Sequence, residues 1–173
     1  LGWYSRTKGV YDLVDAVEIV NEQNKDVKLK FFGTKEIEKL KSYVSNRGLN
    51  HVIEVNGWAD DQEKLKALYE STCLILPSYT EGVPNVVLEA MATRTPVIAT
   101  HVGGLKDILI PSVNAMIVEP GNPRDLSEKI THLLDNKEKR DAIAEKAFEE
   151  VKNKYDVPII RKRFAEILNE ICN

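Results

Sequence analysis

The sequence predicts an α/β fold in which a parallel β-sheet carries helices on both of its faces. Short apolar runs alternate with longer segments of helical periodicity over residues 1–118. The short runs are continuously apolar, as is typical of parallel strands that are buried on both sides. Gly, Pro and Asn residues mark many of the boundaries between the two kinds of segment. Together these three observations favour a Rossmann-like parallel sheet.

The elements follow in order along the chain. Strands are predicted at residues 1–3, 27–32, 52–55, 73–76, 97–100 and 115–118. A helix that begins near Pro84 and a short one after Gly104 connect the later strands. The earlier connecting helices place apolar residues three or four positions apart: Val10, Leu13, Val14 and Val17 in residues 9–24, then Ile37, Leu40 and Val44 before Gly48, then Leu65, Leu68 and Tyr69.

Three further helices are predicted to close the chain. Asn122 followed by Pro123 is typical of a helix start, because Asn caps the free N–H groups and Pro fits the first helical turn. Pro158 marks a break before the last helix. The apolar positions that define the second and third of these helices are Ile143, Ala147, Phe148 and Val151, then Ile160, Phe164, Ile167, Leu168 and Ile171.

Length and composition limit the functions to consider. The 173 residues suffice for one domain, and 43% hydrophobic with 29% charged residues is ordinary for a globular protein. A net charge of −3 gives no indication of a nucleic-acid partner. No signal peptide or membrane-spanning run is present, and Cys73 and Cys172 form no disulfide framework, so a cytoplasmic location is expected. Because the chain starts at Leu1 within a predicted strand, we expect a piece of a longer protein.

The most informative segment is residues 77–92, which contains Glu81 and Glu89 with seven residues between them. It follows the predicted strand at residues 73–76, and Gly82, Pro84 and Asn85 separate that strand from the next helix. After Asn85 the helix is apolar except for Glu89, and an ionised residue in a largely buried helix is seldom there for packing.

The expected geometry brings Glu81, Asn85 and Glu89 to one cleft at the start of this helix, which we call the mouth. Asn85 and Glu89 are four positions apart, so they lie on one face of the helix, and Glu81 lies on the loop above its first turn. Carboxylates accept hydrogen bonds from hydroxyls, while the free N–H groups of a first helical turn bind phosphate. A nucleotide sugar offers both groups. The structural alternative makes Glu81 a solvated loop residue and Glu89 a partner of the helix dipole.

The segment resembles the Glu-x7-Glu motif of retaining glycosyltransferases of the GT-B fold, most closely those of family 4. The resemblance extends to Lys8-Gly9, to residues 56–58, to residues 95–104, which include Gly103-Gly104, and to residues 117–122. It therefore covers nearly the whole chain as the C-terminal, donor-binding half of such an enzyme. It implies one domain over residues 1–173 and an N-terminal acceptor domain outside this chain.

The resemblance implies a role for each group at this mouth. Lys8 neutralises the diphosphate of the donor, and neither a cofactor nor a metal ion is needed. From their positions in the helix and on the loop, we expect Glu89 to recognise the ribose and Glu81 the transferred sugar. Family members usually carry Arg where this chain has Trp3, and Arg6 in the same loop is the candidate replacement. The remaining expected donor contacts are Gly82, Val83, Pro84, Asn85, Gly103 and Gly104.

Departures from the family pattern appear at three other positions. Arg94 replaces a common Gly at the end of a helix, where strain is expected, Ala115 replaces another Gly, and Asp107 stands where Glu is frequent.

His51, His101 and His132 lack the spacing of metal ligands. Trp58 either borders the nucleotide base or packs in the core.

Two other functions stay open on the sequence. A nonhydrolysing nucleotide-sugar 2-epimerase shares the two-domain architecture, although no acid or base for that reaction is recognisable. A non-catalytic nucleotide-binding or signalling module is the second, but the first strand is not followed by Gly-x-Gly-x-x-Gly or by acidic residues. The expected partners are a nucleotide sugar and the chain's own N-terminal domain. Peripheral association of the full-length enzyme with the inner membrane face stays open as well.

Overall fold

A computed structural model describes residues 2–23 and 25–172, and in this part of the chain six strands alternate with helices. Leu1 and Asn24, which the sequence assigns to the first strand and the first helix, lie outside the described residues. The strands are β1 Gly2–Trp3, β2 Leu29–Thr34, β3 Ile53–Asn56, β4 Leu74–Leu76, β5 Val97–Thr100 and β6 Met116–Val118. The helices are α1 Val10–Glu22, α2 Ile37–Asn46, α3 Asp61–Glu70, α4 Asn85–Ala92, α5 Pro123–Asp135, α6 Lys137–Lys154 and α7 Val157–Cys172.

All strand pairs are parallel, as predicted, but they form two sheets of three strands each. The first has the order β1-β2-β3 and the second β4-β5-β6. A cavity of about 810 Å³ lies between them, lined by residues of both sheets and of α1, α3 and α5. The single continuous sheet that the sequence predicts is therefore divided in the described structure.

Strand β2 corrects one predicted boundary. The sequence places it at residues 27–32, whereas the structure has Leu29–Thr34. It begins later because its first pair with β3 is Leu29 with Ile53, and it continues through Gly33 because that residue pairs with Gly2. A Cβ atom on Gly33 would lie 1.8 Å from the Gly2 carbonyl oxygen, so only glycine permits this pairing.

The core consists of two groups of buried side chains. One joins α1, α2, α5 and the first sheet with side chains of β5 and β6, and Val14, Val17 and Leu40 are among its fully buried members. The other joins α4 and the second sheet and includes Met91 and Leu105. The apolar stripes predicted for α1 and α2 face these cores, whereas in the α3 stripe only Leu68 is buried and Leu65 and Tyr69 are exposed.

The last two helices differ in burial. Helix α6 buries Ile143, Ala144 and Ala147, whereas α7 exposes six large apolar side chains: Val157, Ile160, Phe164, Ile167, Leu168 and Ile171. The predicted break before Pro158 is confirmed, since α7 begins at Val157. Among the described residues no helix is both long enough and apolar enough to cross a membrane.

Candidate nucleotide-sugar site

The loops that follow β1 and β4 meet at the carboxyl edge of the two sheets. The backbone N–H of Tyr79 donates to the carbonyl oxygen of Thr7 at 2.9 Å. Gly9 lies against Pro77, and its φ of 65° is the left-handed conformation that glycine adopts without strain. A Cβ atom at Gly9 would lie 2.1 Å from the Pro77 carbonyl oxygen. Glycine at this position therefore allows the Lys8 loop to contact the Glu81 loop.

This contact brings Lys8 and Glu81 together at the strand edge where the sequence places both residues. The Lys8 Nζ donates to Glu81 Oε1 at 2.8 Å, and the Ser78 hydroxyl donates to the same oxygen at 2.7 Å. The Glu81 side chain is only 8% exposed and that of Lys8 29%. A carboxylate with so little exposure to solvent needs such partners, because its desolvation would otherwise be costly. The alternative of a solvated loop residue is wrong for Glu81.

Gly103 and Gly104 pack against the backbone of the Glu81 loop. Gly103 has a φ of 52°, and a Cβ atom there would lie 1.8 Å from the Glu81 carbonyl oxygen. A Cβ atom on Gly104 would lie 2.7 Å from the Gly82 carbonyl oxygen. The two glycines thus permit a close approach to the backbone of the Glu81 loop. Their contact with a donor stays a prediction.

Helix α4 begins at Asn85, as predicted, with Pro84 as its N-cap residue and no side chain capping the first turn. Its buried residues are Val87, Ala90 and Met91. Glu89 differs from the expected lone buried carboxylate in two ways, since its side chain is 35% exposed and it has a lysine partner. It lies at the border of the core, where an ionised group can reach a ligand and still be partly hydrated.

The partner of Glu89 is Lys64 of α3, a residue that the sequence analysis missed. Its Nζ donates to Glu89 Oε1 at 2.9 Å and to Asp61 Oδ1 at 3.0 Å. These hydrogen bonds, with that to Glu89 first, raise the pKa of the Lys64 ammonium above its ordinary value. The only indication of an ionic partner for Lys64 in the sequence is Asp61, which lies three positions earlier in the same helix. The contact to Glu89 spans 25 positions and depends on how α3 packs beside α4.

The rim of the mouth carries further cations and aromatic rings. Lys35, in a left-handed conformation with φ of 63°, places its Nζ 3.3 Å from the centroid of the Trp3 ring. Arg6 lies 5.9 Å from the Tyr11 ring centroid. Trp58 is 71% exposed, so packing in the core is wrong for this residue. Val83 is exposed too.

The histidines and acidic residues do not assemble a metal centre in the described part of the chain, where no group of three or more potential ligands is found. The His101 ring nitrogen Nε2 lies 3.2 Å from the Leu109 carbonyl oxygen. That contact belongs to the packing of the loop after β5. The expectation that donor binding requires no metal stays a prediction.

The two carboxylates share one arrangement. Each accepts a lysine N–H at its Oε1 oxygen, and each therefore presents Oε2 as the oxygen available to a hydroxyl of a ligand. Lys8 and the uncapped first turn of α4 supply positive potential beside Glu81. The mouth can therefore bind a molecule that has both hydroxyl and phosphate groups.

Comparison with known proteins connects this geometry to a family. Residues 1–150 match the family model described as glycosyl transferases group 1. An uncharacterized glycosyltransferase of Methanocaldococcus jannaschii is 36% identical over 146 residues, which cover 84% of this chain and 40% of that protein. The putative teichuronic acid biosynthesis glycosyltransferase TuaC of Bacillus subtilis is 31% identical over 156 residues, covering 90% of this chain and 37% of TuaC. The chain thus spans less than half the length of these relatives.

Solved structures agree with the fold. The C-terminal domain of a group 1 family glycosyl transferase, LpcC from Francisella tularensis, superposes with a TM-score of 0.80 at 26% identity, covering 91% of this chain and 84% of that domain. Anabaena HepE, solved with UDP-glucose, gives a TM-score of 0.86 at 23% identity over 98% of this chain and 48% of HepE. The predicted fold class, that of the C-terminal half of a GT-B glycosyltransferase, is confirmed. The chain belongs to the glycosyl transferases group 1 family.

Proposed function

We propose that this chain is the donor-binding domain of a retaining glycosyltransferase, of the hexosyltransferase type, that moves a sugar from a nucleoside diphosphate to an acceptor. One observation carries the proposal. Two carboxylates from the same loop and helix, Glu81 and Glu89, are each held by a lysine at the carboxyl edge of parallel strands. Ligands of open α/β sheets bind at this edge. The family match favours transfer over the 2-epimerase alternative.

Lys8 is the proposed partner of the diphosphate. Its ammonium lies at the start of α1, where the positive end of the helix dipole opposes a cation, so its stable position depends on nearby negative charge. In the unliganded mouth Glu81 supplies that charge. When the donor binds, the phosphate oxygens supply more of it, and Lys8 together with the first-turn amides of α4 stabilises the leaving diphosphate as the sugar departs.

The carboxylates are proposed to divide the hydroxyls of the donor between them. Glu89 lies one helical turn inside α4 beside α3, and its Oε2 accepts from the ribose hydroxyls. Glu81 lies on the loop next to Lys8, and its Oε2 accepts from a hydroxyl of the transferred sugar. Glu81 thereby orients the donor, and no nucleophilic role is assigned to it. Gly82, Val83, Pro84 and Asn85 form the wall between the two positions.

Cationic residues at the rim of the mouth are further candidates for binding the phosphate groups of the donor. Where the family usually has Arg, this chain has Trp3, and Lys35 lies over the Trp3 ring. Lys35 is therefore a second candidate, beside Arg6, for the cation that the position after Gly2 does not provide. The solved neighbour HepE, which shares the fold, binds UDP-glucose, and this supports a nucleoside diphosphate sugar as the ligand class.

The whole protein is proposed to act in the cytoplasm on polysaccharide or glycolipid precursors, with the acceptor bound by an N-terminal domain. The relatives support the product class, since TuaC is named for teichuronic acid biosynthesis and CapM of Staphylococcus aureus for capsular polysaccharide biosynthesis. Residues 1–173 form the donor domain. Donor binding and catalysis proceed without a bound metal ion in this proposal.

Calorimetric titration with uridine, guanosine and adenosine diphosphates tests donor binding directly. We expect one of the three to bind, and Lys8→Met to weaken its binding about tenfold or more, because a charge-assisted hydrogen bond contributes roughly 1.5–3 kcal/mol. Lys162→Met is the matched control, since Lys162 is an exposed lysine of α7 whose only described ion pair is with Glu166 at 4.0 Å. Absence of binding to all three at millimolar concentration would contradict the proposal for this domain.

A further inference from the structure

Lys64 of α3 lies between two carboxylates, one on its own helix and one on α4. Its Nζ donates to Glu89 Oε1 at 2.9 Å and to Asp61 Oδ1 at 3.0 Å. The Lys64 side chain is 25% exposed. Lys66 on the same helix is 73% exposed, and its ion pair with Glu70 spans 3.8 Å. Lys64 is therefore the lysine of α3 whose ammonium is held at the mouth.

The backbones that carry Lys64 and Glu89 are both anchored by buried contacts. Helix α3 is held through Leu68, which is buried and whose carbonyl oxygen accepts from the Thr95 hydroxyl at 2.8 Å. Helix α4 is held through its three fully buried side chains. The freedom that remains at this place is in the side-chain torsions of Glu89, and the hydrogen bond from Lys64 restrains them.

The restraint affects how Glu89 can meet a ligand. Because Oε1 accepts from Lys64, Oε2 is left to accept from a hydroxyl. A glutamate without a partner samples several rotamers, and a ligand that needs one of them binds more weakly because it has to fix the side chain. The ammonium also offsets the negative charge of Glu89, which would otherwise repel the diphosphate of the same ligand.

Asp61 distinguishes Lys64 from the other lysine of the mouth. Lys8 has Glu81 as its ion-pair partner among the described residues, and it is the lysine proposed to bind the phosphates. Lys64 is held by a carboxylate on each side, because Asp61 contacts the same ammonium from a fully exposed position. This second carboxylate keeps Lys64 beside Glu89 when phosphate groups enter the mouth.

We propose that Lys64 is the positioning residue for recognition of the ribose hydroxyls by Glu89, an inference that rests on the function proposed for Glu89 above. Lys64 itself contacts no part of the donor in this arrangement. It fixes the carboxylate of Glu89 before the donor arrives, so that Oε2 meets the hydroxyls without a change of rotamer.

Nucleoside diphosphates with and without ribose hydroxyls test this role. The probes are the uridine, guanosine or adenosine diphosphate that binds most tightly and its 2′,3′-dideoxy counterpart, and calorimetry gives the ratio of their dissociation constants. In the parent we expect the dideoxy probe to bind about tenfold or more weakly, because Glu89 accepts from the hydroxyls. Lys64→Met should lower this ratio to about threefold or less. Lys64→Arg keeps the charge and several N–H donors, and should stay within about twofold of the parent's ratio.

Glu89→Gln separates the positioning role from the proposed function of Glu89. Its ratio should fall as that of Lys64→Met does, and the double variant should match the ratio of Glu89→Gln within about twofold, because Lys64 acts through Glu89. Lys162→Met, at an exposed lysine of α7, should keep the parent's ratio and controls for the loss of one positive charge.

A lysine that only stabilised the fold would weaken both probes equally, so a ratio in Lys64→Met equal to the parent's would overturn the inference. If Glu89→Gln loses the preference for hydroxyls and Lys64→Met keeps it, the positioning role alone is wrong. If Glu89→Gln keeps the parent's ratio, or the parent binds neither probe, the function proposed for Glu89 is wrong and the inference is overturned with it. Thermal melts establish that each variant is folded at the temperature of the titration.

Discussion

Replacing Gly103 by alanine tests whether this glycine holds the Glu81 loop in place. Gly103 has a φ of 52°, and its added Cβ would lie 1.8 Å from the Glu81 carbonyl oxygen, where ordinary contact begins at 3.4 Å. The left-handed conformation costs an L-residue roughly 1–2 kcal/mol. Relief of the overlap must move one backbone segment, and overpacking of this kind costs typically about 1–3 kcal/mol. Gly103→Ala should therefore lower stability by roughly 2–5 kcal/mol.

For a chain of this size each kcal/mol shifts the melting temperature by about 2–4 °C, so the expected fall is roughly 4–20 °C by calorimetry. Gly57→Ala is the matched control, because nothing lies within 4 Å of its added Cβ and its φ is not positive. Below the melting transition, Gly103→Ala should also bind a nucleotide sugar more weakly while binding the plain nucleotide as before, since Glu81 moves and Glu89 does not. A variant that melts and binds like the parent would refute the reasoning.

Three further outcomes are expected. Burial raises the pKa of the Cys73 thiol to about 12. In a Cys172→Ser background, the rate of Cys73 alkylation should therefore be low at pH 8 and should still increase through pH 10. A rate that reaches a plateau near pH 9 would contradict the raised pKa. Asp60→Ala removes the capping box that joins Asp60 and Glu63 at the start of α3, and should cost about 1 kcal/mol in a urea melt, whereas Asp61→Ala, which leaves that box intact, should cost less. Isolated as residues 1–173, the chain should transfer no sugar to an acceptor, and observed turnover onto an acceptor would contradict the two-domain proposal, while slow hydrolysis of the donor would not.

Local features of the sequence predicted much of the fold. The order of strands and helices follows from short apolar runs and helical spacing, which depend on neighbours in the chain. The start of α4 at Asn85 and the special backbone at Gly103 follow from the same local chemistry. The strain expected at Arg94 is confirmed by its φ of 55°, and the structure adds a stacked Phe148 ring that lies 3.6 Å from the guanidinium.

The features that the sequence did not predict arise from contacts distant along the chain. Lys8 meets Glu81 across 73 positions and Lys64 meets Glu89 across 25, and neither pair has a periodic signal. The division of the strands into two sheets likewise depends on which strands pair. Trp58 was ambiguous because an aromatic residue after a strand suits both a core and an exposed rim.

The central claim is that Glu89 recognises the nucleotide and Glu81 the transferred sugar. It is tested by titrating Glu81→Gln and Glu89→Gln with a nucleoside diphosphate and with the matching nucleotide sugar. Gln keeps the size of Glu and removes its charge, and Glu166→Gln, at an exposed residue of α7, controls for the charge change.

We expect Glu89→Gln to weaken the binding of both ligands about tenfold or more, whereas Glu81→Gln should leave nucleotide binding unchanged and weaken only the binding of the nucleotide sugar. Thermal melts confirm that each variant is folded at the temperature of the titration. If both variants bind both ligands as tightly as the parent does, the two carboxylates are structural and the central claim is wrong.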